Sequence, residues 1–146
     1  MTTAVTWLRP LPDTATGIPT RREVRGSRCG TLQGLFTEWA AALRFPDHFG
    51  HNWDAFADCL RDTLTNASLP TAGPDAPRLT LVLREADGLL VDEPDTTLAV
   101  LLSILDDTAG ADSGAPRLLL LLDGTPDGLS RLAGRMTDAG YEPDTA

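Results

Sequence analysis

Five consecutive leucines, residues 118–122, constrain the fold of this chain more than any other feature. Leucine is a strong helix former, so the run could be helical in isolation. Its shortness and its flanks, with Pro116 before it and Asp123 and Gly124 after it, favour a fully buried strand. Buried strands of this kind are typical of parallel sheets that helices cover. The run therefore predicts one strand of an α/β fold.

The other periodic segments place strands and helices in the order β-α-α-β-α-β-α. Strands joined through helices imply right-handed crossovers and a parallel sheet flanked by helices. A length of 146 residues is enough for one core without disulfides or metal. The expected strands are 23–25, 79–83 and 118–122. The expected helices are one with helical periodicity over 32–43 that ends before Pro46, and three more at 53–65, 96–107 and 129–139.

Capping residues and prolines mark the ends of several elements. Thr31 and Asn52 are suitable N-cap residues for the first two helices. Pro46 ends the first helix because the residue before a proline avoids the α region. Gly140 is expected to cap the last helix. Segments rich in proline and glycine predict loops, and these are residues 66–77 and 109–116.

The sequence predicts one domain with a further segment at each end. Residues 5–8 could form a short extra strand, but Pro10, Pro12 and Pro19 favour a loop or arm at this end. The expected segments are an N-terminal arm (1–22), an α/β domain (23–123) and a C-terminal helical extension packed on the same domain (124–146).

The charge is strongly negative and unevenly distributed, with a net value of -9. Residues 1–30 hold five Arg and two acidic residues, whereas residues 31–146 hold seven Arg and 19 acidic residues. This balance disfavours nucleic acid and anionic lipid as partners and favours a cationic partner. No apolar run has the length of a signal peptide or a membrane span, and two cysteines fit a reducing compartment. We therefore expect a soluble cytoplasmic protein.

The helix expected from Trp53 has two chemically distinct faces. At 100° per residue, the apolar face holds Trp53, Phe56, Ala57, Leu60 and Leu64. A separate stripe at i, i+4 and i+8 holds Asp54, Asp58 and Asp62. Like charges at this spacing destabilise a helix by roughly 0.2–0.5 kcal/mol per pair, which suggests that the stripe binds a cationic ligand. The alternative is a solvated face of an acidic protein, relieved by Arg61.

Other kinds of site are weaker interpretations of the same window. His48, His51, Asp54 and Asp58 could ligate a metal, but their spacing matches no zinc signature. Cys59 could pair with a histidine as a nucleophile, and two carboxylates could hydrolyse a glycoside. However, Cys59 lies away from the acidic stripe, and adjacent turns of one helix are an unusual place for such a carboxylate pair. We expect no metal, no cofactor and no enzymatic activity.

Residues 45–60 (FPDHFGHNWDAFADCL) closely resemble the signature segment of barstar-like proteins. In that family a proline, an acidic residue, aromatics and glycine precede an Asn that starts the second helix. The pattern then continues Asp-Ala-x-x-Asp-Cys-Leu. The resemblance extends without gaps back to Val24, and 50–60 is its most specific part. It implies a three-stranded parallel sheet flanked by helices, here with an N-terminal arm and an extra C-terminal helix.

The resemblance also implies a function. Barstar-like proteins hold a secreted, guanyl-specific ribonuclease of the barnase type inactive inside the producing cell. The second helix and the loop before it occlude the active site of this basic enzyme, and their carboxylates replace the substrate phosphate. An immunity or binding module of the same fold for an unrelated toxin or nuclease is the alternative, because parts of this chain depart from the family pattern.

By position, the resemblance assigns roles to individual residues. Asp58 matches the main carboxylate and Asp54 the second, while His48 stands at an interface tyrosine position. Ala57 replaces an interface tryptophan, and Asp107 is the loose counterpart of an acidic residue on a later helix. Cys59 matches a structural cysteine. The expected partner-binding residues are His48, Asn52, Trp53, Asp54, Ala57, Asp58 and Asp62.

Overall fold

The computed structural model describes residues 3–10, 21–46, 50, 52–66, 79–109 and 117–143. The strands are β1 (Thr3–Ala4), β2 (Leu8–Pro10), β3 (Arg21–Arg25), β4 (Leu79–Arg84), β5 (Leu118–Leu122) and β6 (Tyr141–Glu142). The helices are α1 (Leu32–Leu43), α2 (Trp53–Asn66), α3 (Asp95–Ala109) and α4 (Pro126–Asp138). Two single 3-10 turns follow β3 and β4, at Gly26–Arg28 and Ala86–Gly88.

The leucine run forms β5 with the expected bounds, and it lies inside a parallel sheet of order β2-β5-β4-β3. Each strand in this sheet runs parallel to its neighbours. Leu118, Leu120 and Leu122 belong to the main core, whereas Leu119 and Leu121 alternate onto the other face of the sheet. β5 is therefore paired on both edges and almost fully buried, as expected for a continuous apolar run.

The α/β class and the parallel sheet are confirmed, but the sheet has four strands and not the three expected. The additional strand is β2, in the segment that was expected to be a loop or arm. The backbone N–H of Leu120 donates to the carbonyl of Trp7 at 2.7 Å. The Trp7 indole is fully buried and donates to Asp106 at 2.8 Å. Pro10 is tolerated because β2 is an edge strand.

A second, two-stranded sheet pairs β1 with β6 in parallel. The backbone N–H of Val5 extends this pairing by donating to the carbonyl of Glu142 at 3.1 Å. Neither strand was expected from the sequence. Both have two residues, which is too short for a period-2 hydrophobic pattern to appear.

The first helix begins and ends as its capping residues predict. The Thr31 hydroxyl accepts from the Gly34 N–H at 3.1 Å. α1 ends at Leu43, where Arg44 takes a left-handed conformation with φ 57° ahead of Pro46. Thr31 is therefore confirmed as the N-cap residue.

The last helix begins three residues earlier than expected. Thr125 accepts from the N–H of Gly128 at 3.0 Å, and Pro126 takes a first-turn position, where its missing N–H has no cost. Beyond the end of α4, Gly140 has φ +103°, which confirms the glycine expected at this terminus.

The helices pack so that one main core lies against one face of the parallel sheet. α1 contacts β3, α3 contacts β5, and α2 packs on α1 and α3. α4 packs on α3 and on the turn at Ala86–Gly88. None of the helices that the structure describes is long and apolar enough to cross a bilayer. The core residues of α3 are Leu98, Leu101, Leu102, Leu105 and Ala109.

The division into segments 1–22, 23–123 and 124–146 stays a prediction. Residues 1, 2 and 11–20 lie outside the described residues. The expected loops at 66–77 and 109–116 also fall almost wholly outside them.

Replacing Leu120 by alanine tests the burial of β5. Leu120 is fully buried in the core, so we expect the substitution to reduce the free energy of unfolding by about 2–5 kcal/mol. The control is Leu119→Ala, because Leu119 is partly exposed on the opposite face and should cost clearly less. Urea denaturation measures both variants, and equal losses would contradict the placement.

Candidate functional site

A cluster of aromatic rings fixes the orientation of α2. Phe56 is fully buried, and its ring centroid lies 5.5 Å from that of Trp39 and 5.7 Å from that of Trp53. Phe36 and Phe45 are also in ring contact with Phe56, with centroids at 5.8 Å and 6.1 Å. The interpretation of Phe36, Trp39, Phe56 and Leu60 as packing residues is confirmed, since each is at most 1% exposed.

The first turn of α2 is capped by Asn52. The Asn52 side-chain oxygen accepts from the N–H of Ala55 at 2.8 Å, and its amide nitrogen donates to the Gly50 carbonyl at 3.2 Å. Asn52 is exposed and thus both caps the helix and remains accessible. Asp54 follows in the first turn, where the positive end of the helix dipole favours its charge.

The acidic stripe of α2 points to solvent. Asp54, Asp58 and Asp62 are all exposed, and the side chain of Asp58 is 75% exposed. Since Phe56 is fixed in the core, the 100° step of the helix directs these carboxylates outward. This surface, defined by Asp54, Asp58 and Asp62, is called the acidic face below.

A guanidinium connects the acidic face to α3. The Arg61 side chain reaches Asp58 through Nη1 at 3.2 Å and Asp107 through Nη2 at 3.6 Å. Arg61 therefore pairs with Asp58, as the solvated-face alternative expects. Asp107, the loose counterpart in the resemblance, thus shares one guanidinium with Asp58. Sequence periodicity on α2 could not reveal this neighbour, because it depends on how α2 and α3 pack.

The remaining expected partner-binding residues occupy different environments. Trp53 is half-buried, and its ring meets that of Phe36 edge-on at 5.2 Å. Ala57 is 9% exposed, so it offers little surface to a partner. His48 and His51 lie outside the described residues. Of the expected partner-binding residues that the structure describes, those that combine exposure with charge or polarity are Asn52, Asp54, Asp58 and Asp62.

The thiol of Cys59 is poorly suited to nucleophilic catalysis. Burial raises its pKa above the ordinary value of 9.0, and the nearby charges of Asp62 and Asp58 raise it further. The thiolate is the nucleophilic form, and these surroundings disfavour it. The structure thus gives no support to the thiol-nucleophile interpretation. Across the described residues, no group of three or more His, Cys, Asp or Glu side chains could hold a metal ion.

A second polar region lies at the carboxyl ends of the strands, and the sequence predicts no site there. Arg84 forms ion pairs with Glu23 at 2.6 Å and with Asp123 at 2.9 Å, which joins β3, β4 and the end of β5. Hydrogen bonds to the two carboxylates raise the pKa of Arg84. The surrounding cleft has a volume of about 490 Å³ and is lined by Glu23, Arg25, Glu38, Arg84, Glu85 and Asp123. The sequence feature that could have indicated this region is Asp123, a charged residue directly after the buried strand β5.

Comparison with known families identifies the protein class. The family model of barstar, the barnase inhibitor, matches residues 20–121. The chain belongs to the barstar family. The matched stretch includes α2 with its acidic face and Asp107, whereas β2 and α4 lie outside it. Barstar is an inhibitor family and not a catalytic one, and membership supports a barnase-inhibitor-like role with a ribonuclease as partner. A comparison with curated proteins finds no match to this chain.

Replacing Asn52 by alanine should lower the free energy of unfolding by about 1 kcal/mol, because the Ala55 N–H loses its acceptor. Asp caps helices as well as Asn, so Asn52→Asp is the matched control and should retain most of the stability. Both are measured by urea denaturation. An equal loss in the two variants would show that capping is not the stabilising contact.

The buried thiol of Cys29 should make stability depend on alkaline pH. Burial, and next the charge of Glu38, raise its pKa from 9.0 to about 12. Between these values the unfolded chain loses the thiol proton and the folded chain keeps it, so the free energy of unfolding falls as pH rises. The slope is at most about 1.4 kcal/mol per pH unit.

The Cys29→Ala variant lacks this titration, while the other alkaline groups remain in both proteins. Relative to this variant, the wild-type protein should lose stability progressively above about pH 9. Urea denaturation at several pH values measures the difference. Parallel pH profiles for the two proteins would contradict the assignment.

Proposed function

We propose that this chain is an intracellular inhibitor of a secreted, basic, guanyl-specific ribonuclease of the barnase type. In this proposal the acidic face of α2 enters the active site of the enzyme and its carboxylates take the place of the substrate phosphate. The chain blocks access to the site and performs no catalysis of its own. The observation that carries the proposal is the exposed Asp58 in a barstar family member, with Asp54 and Asp107 beside it.

The chemistry of the acidic face suits the active site of a ribonuclease. Such a site stabilises a phosphate with cationic side chains, and carboxylates form strong, charge-assisted hydrogen bonds with these groups. Asp54 and Asp58 lie one helical turn apart on α2, so they can meet neighbouring cations without rearrangement of the backbone. Asp107 adds a carboxylate from a second helix.

The aromatic cluster makes the acidic face suitable for insertion. Phe56, Leu60 and Leu64 anchor α2 in the core, so the exposed side chains are held by a rigid element. A preorganised face loses less conformational entropy when it binds, which favours affinity. The net charge of -9 would also steer the encounter with a basic enzyme, an effect for which the barnase–barstar pair is the established example.

A second candidate function is an immunity module of the same fold for a different toxin or nuclease. Ala57 favours it, because a small side chain that is 9% exposed replaces an aromatic anchor at a family interface position. Aromatic side chains commonly dominate binding energies at interfaces, so their loss changes which partner fits. Binding assays with barnase and with toxins from the host genome would separate the two functions.

Replacing Asp58 by asparagine tests the proposed function. We expect the free energy of binding to the ribonuclease to become less favourable by several kcal/mol. The reason is that a cation in the enzyme active site would be left without its counter-charge. Isothermal titration calorimetry measures the affinity, and a ribonuclease activity assay measures inhibition. Barnase and the secreted basic ribonucleases of the host are the enzymes to use.

The matched control is Asp138→Asn, which removes the same charge from an exposed position at the end of α4. It should bind and inhibit nearly as well as the wild-type protein. If the two substitutions weaken binding equally, Asp58 acts only through the net charge of the protein. That result would contradict the proposed mechanism.

A further inference from the structure

Arg61 places a positive charge in the middle of an otherwise acidic surface. Its guanidinium is 54% exposed and lies between the carboxylates of Asp58 and Asp107, each of which is 75% exposed. One nitrogen contacts each carboxylate, so a single side chain serves both helices. If the acidic face binds a cationic active site, Arg61 already lies where a cation of the enzyme would lie. It also already pairs with the two carboxylates that this cation would need.

We propose that Arg61 is an internal counter-ion that the partner displaces. In the free protein its guanidinium pairs with Asp58 and Asp107, and in the complex a cationic side chain of the ribonuclease takes its place. This inference rests on the proposed function of the acidic face. It assigns Arg61 the role of a specificity-determining residue, because a partner must compete with it for both carboxylates.

The geometry makes displacement feasible. Both ion pairs are exposed, and exposed pairs contribute little to stability because water and salt screen them. The Arg side chain is long and flexible, so it can swing away while the backbone of α2 stays fixed. The incoming cation keeps each carboxylate paired during desolvation, which avoids the large penalty of a buried, unpaired charge.

The contacts of Arg61 oppose binding of the partner, but they stabilise the free protein. Asp54, Asp58 and Asp62 repel one another along α2, and Arg61 offsets this repulsion at Asp58. Removal of the guanidinium should therefore make the free chain slightly less stable and its acidic face more available. A loss of stability together with a gain in binding distinguishes a displaced counter-ion from a residue with a purely structural role.

The test compares Arg61→Gln with Arg131→Gln. Arg131 is an exposed residue on α4 that pairs with Asp87 at 3.4 Å, so its substitution removes the same charge and the same kind of ion pair elsewhere. Stopped-flow kinetics and calorimetry give the association rate and affinity for barnase or the host ribonuclease, at about 0.05 M and 0.5 M salt. Urea denaturation gives the stability of each variant.

We expect Arg61→Gln to bind roughly two- to tenfold more tightly than Arg131→Gln at low salt, with a faster association rate. The advantage should shrink at high salt, because screening weakens both the steering and the ion pairs. Weaker binding by Arg61→Gln would show that Arg61 itself contacts the partner and would overturn the inference. Equal binding by the two variants would overturn it as well.

The wild-type protein separates this inference from the proposed function. If it fails to bind every ribonuclease tested, the proposed function falls and the inference falls with it. If it binds tightly and Arg61→Gln behaves like Arg131→Gln, the proposed function stands and the inference alone is wrong.

Discussion

The burial of Phe56 among four other rings is the contact on which the arrangement of the site depends. A helix has one rotational freedom about its axis, and the packing of a large ring removes it. Once Phe56 faces the core, Asp54 and Asp58 must face solvent, because their directions follow from the 100° step. The acidic face is thus a geometric consequence of the core, although its charges contribute nothing to that core.

Local sequence patterns were sufficient to predict most of the framework. Periodicity located the helices, Thr31 and Asn52 marked two of their starts, and the leucine run predicted β5. β2 was expected to be a loop or arm because Pro10, with Pro12 and Pro19 after it, argues against a strand unless the edge position is known. That position is decided by distant contacts such as the hydrogen bond from Trp7 to Asp106.

The candidate site was predictable to the extent that it lies on one helix. The angles between Asp54, Asp58 and Asp62 follow from sequence numbering alone. The contact from Arg61 to Asp107 joins residues 46 positions apart, so it requires the packing of α2 against α3. The ion pairs of Arg84 with Glu23 and Asp123 likewise cannot be predicted without the order of the strands. They form because β4, which carries Arg84, lies between β3 and β5.

The two edges of the parallel sheet have a consequence for the behaviour of the protein at high concentration. A run of five leucines without charge is the kind of segment that assembles into amyloid-like strands when it is exposed. Here β5 is paired on both sides, and the outer strands are poor templates for a further chain. β2 has three residues and ends in Pro10, and β3 reads Arg-Arg-Glu-Val-Arg. Short length, proline and charge at a sheet edge all oppose the addition of another strand. The order of strands therefore keeps the leucine run away from both edges of the described sheet, which are formed by β2 and β3.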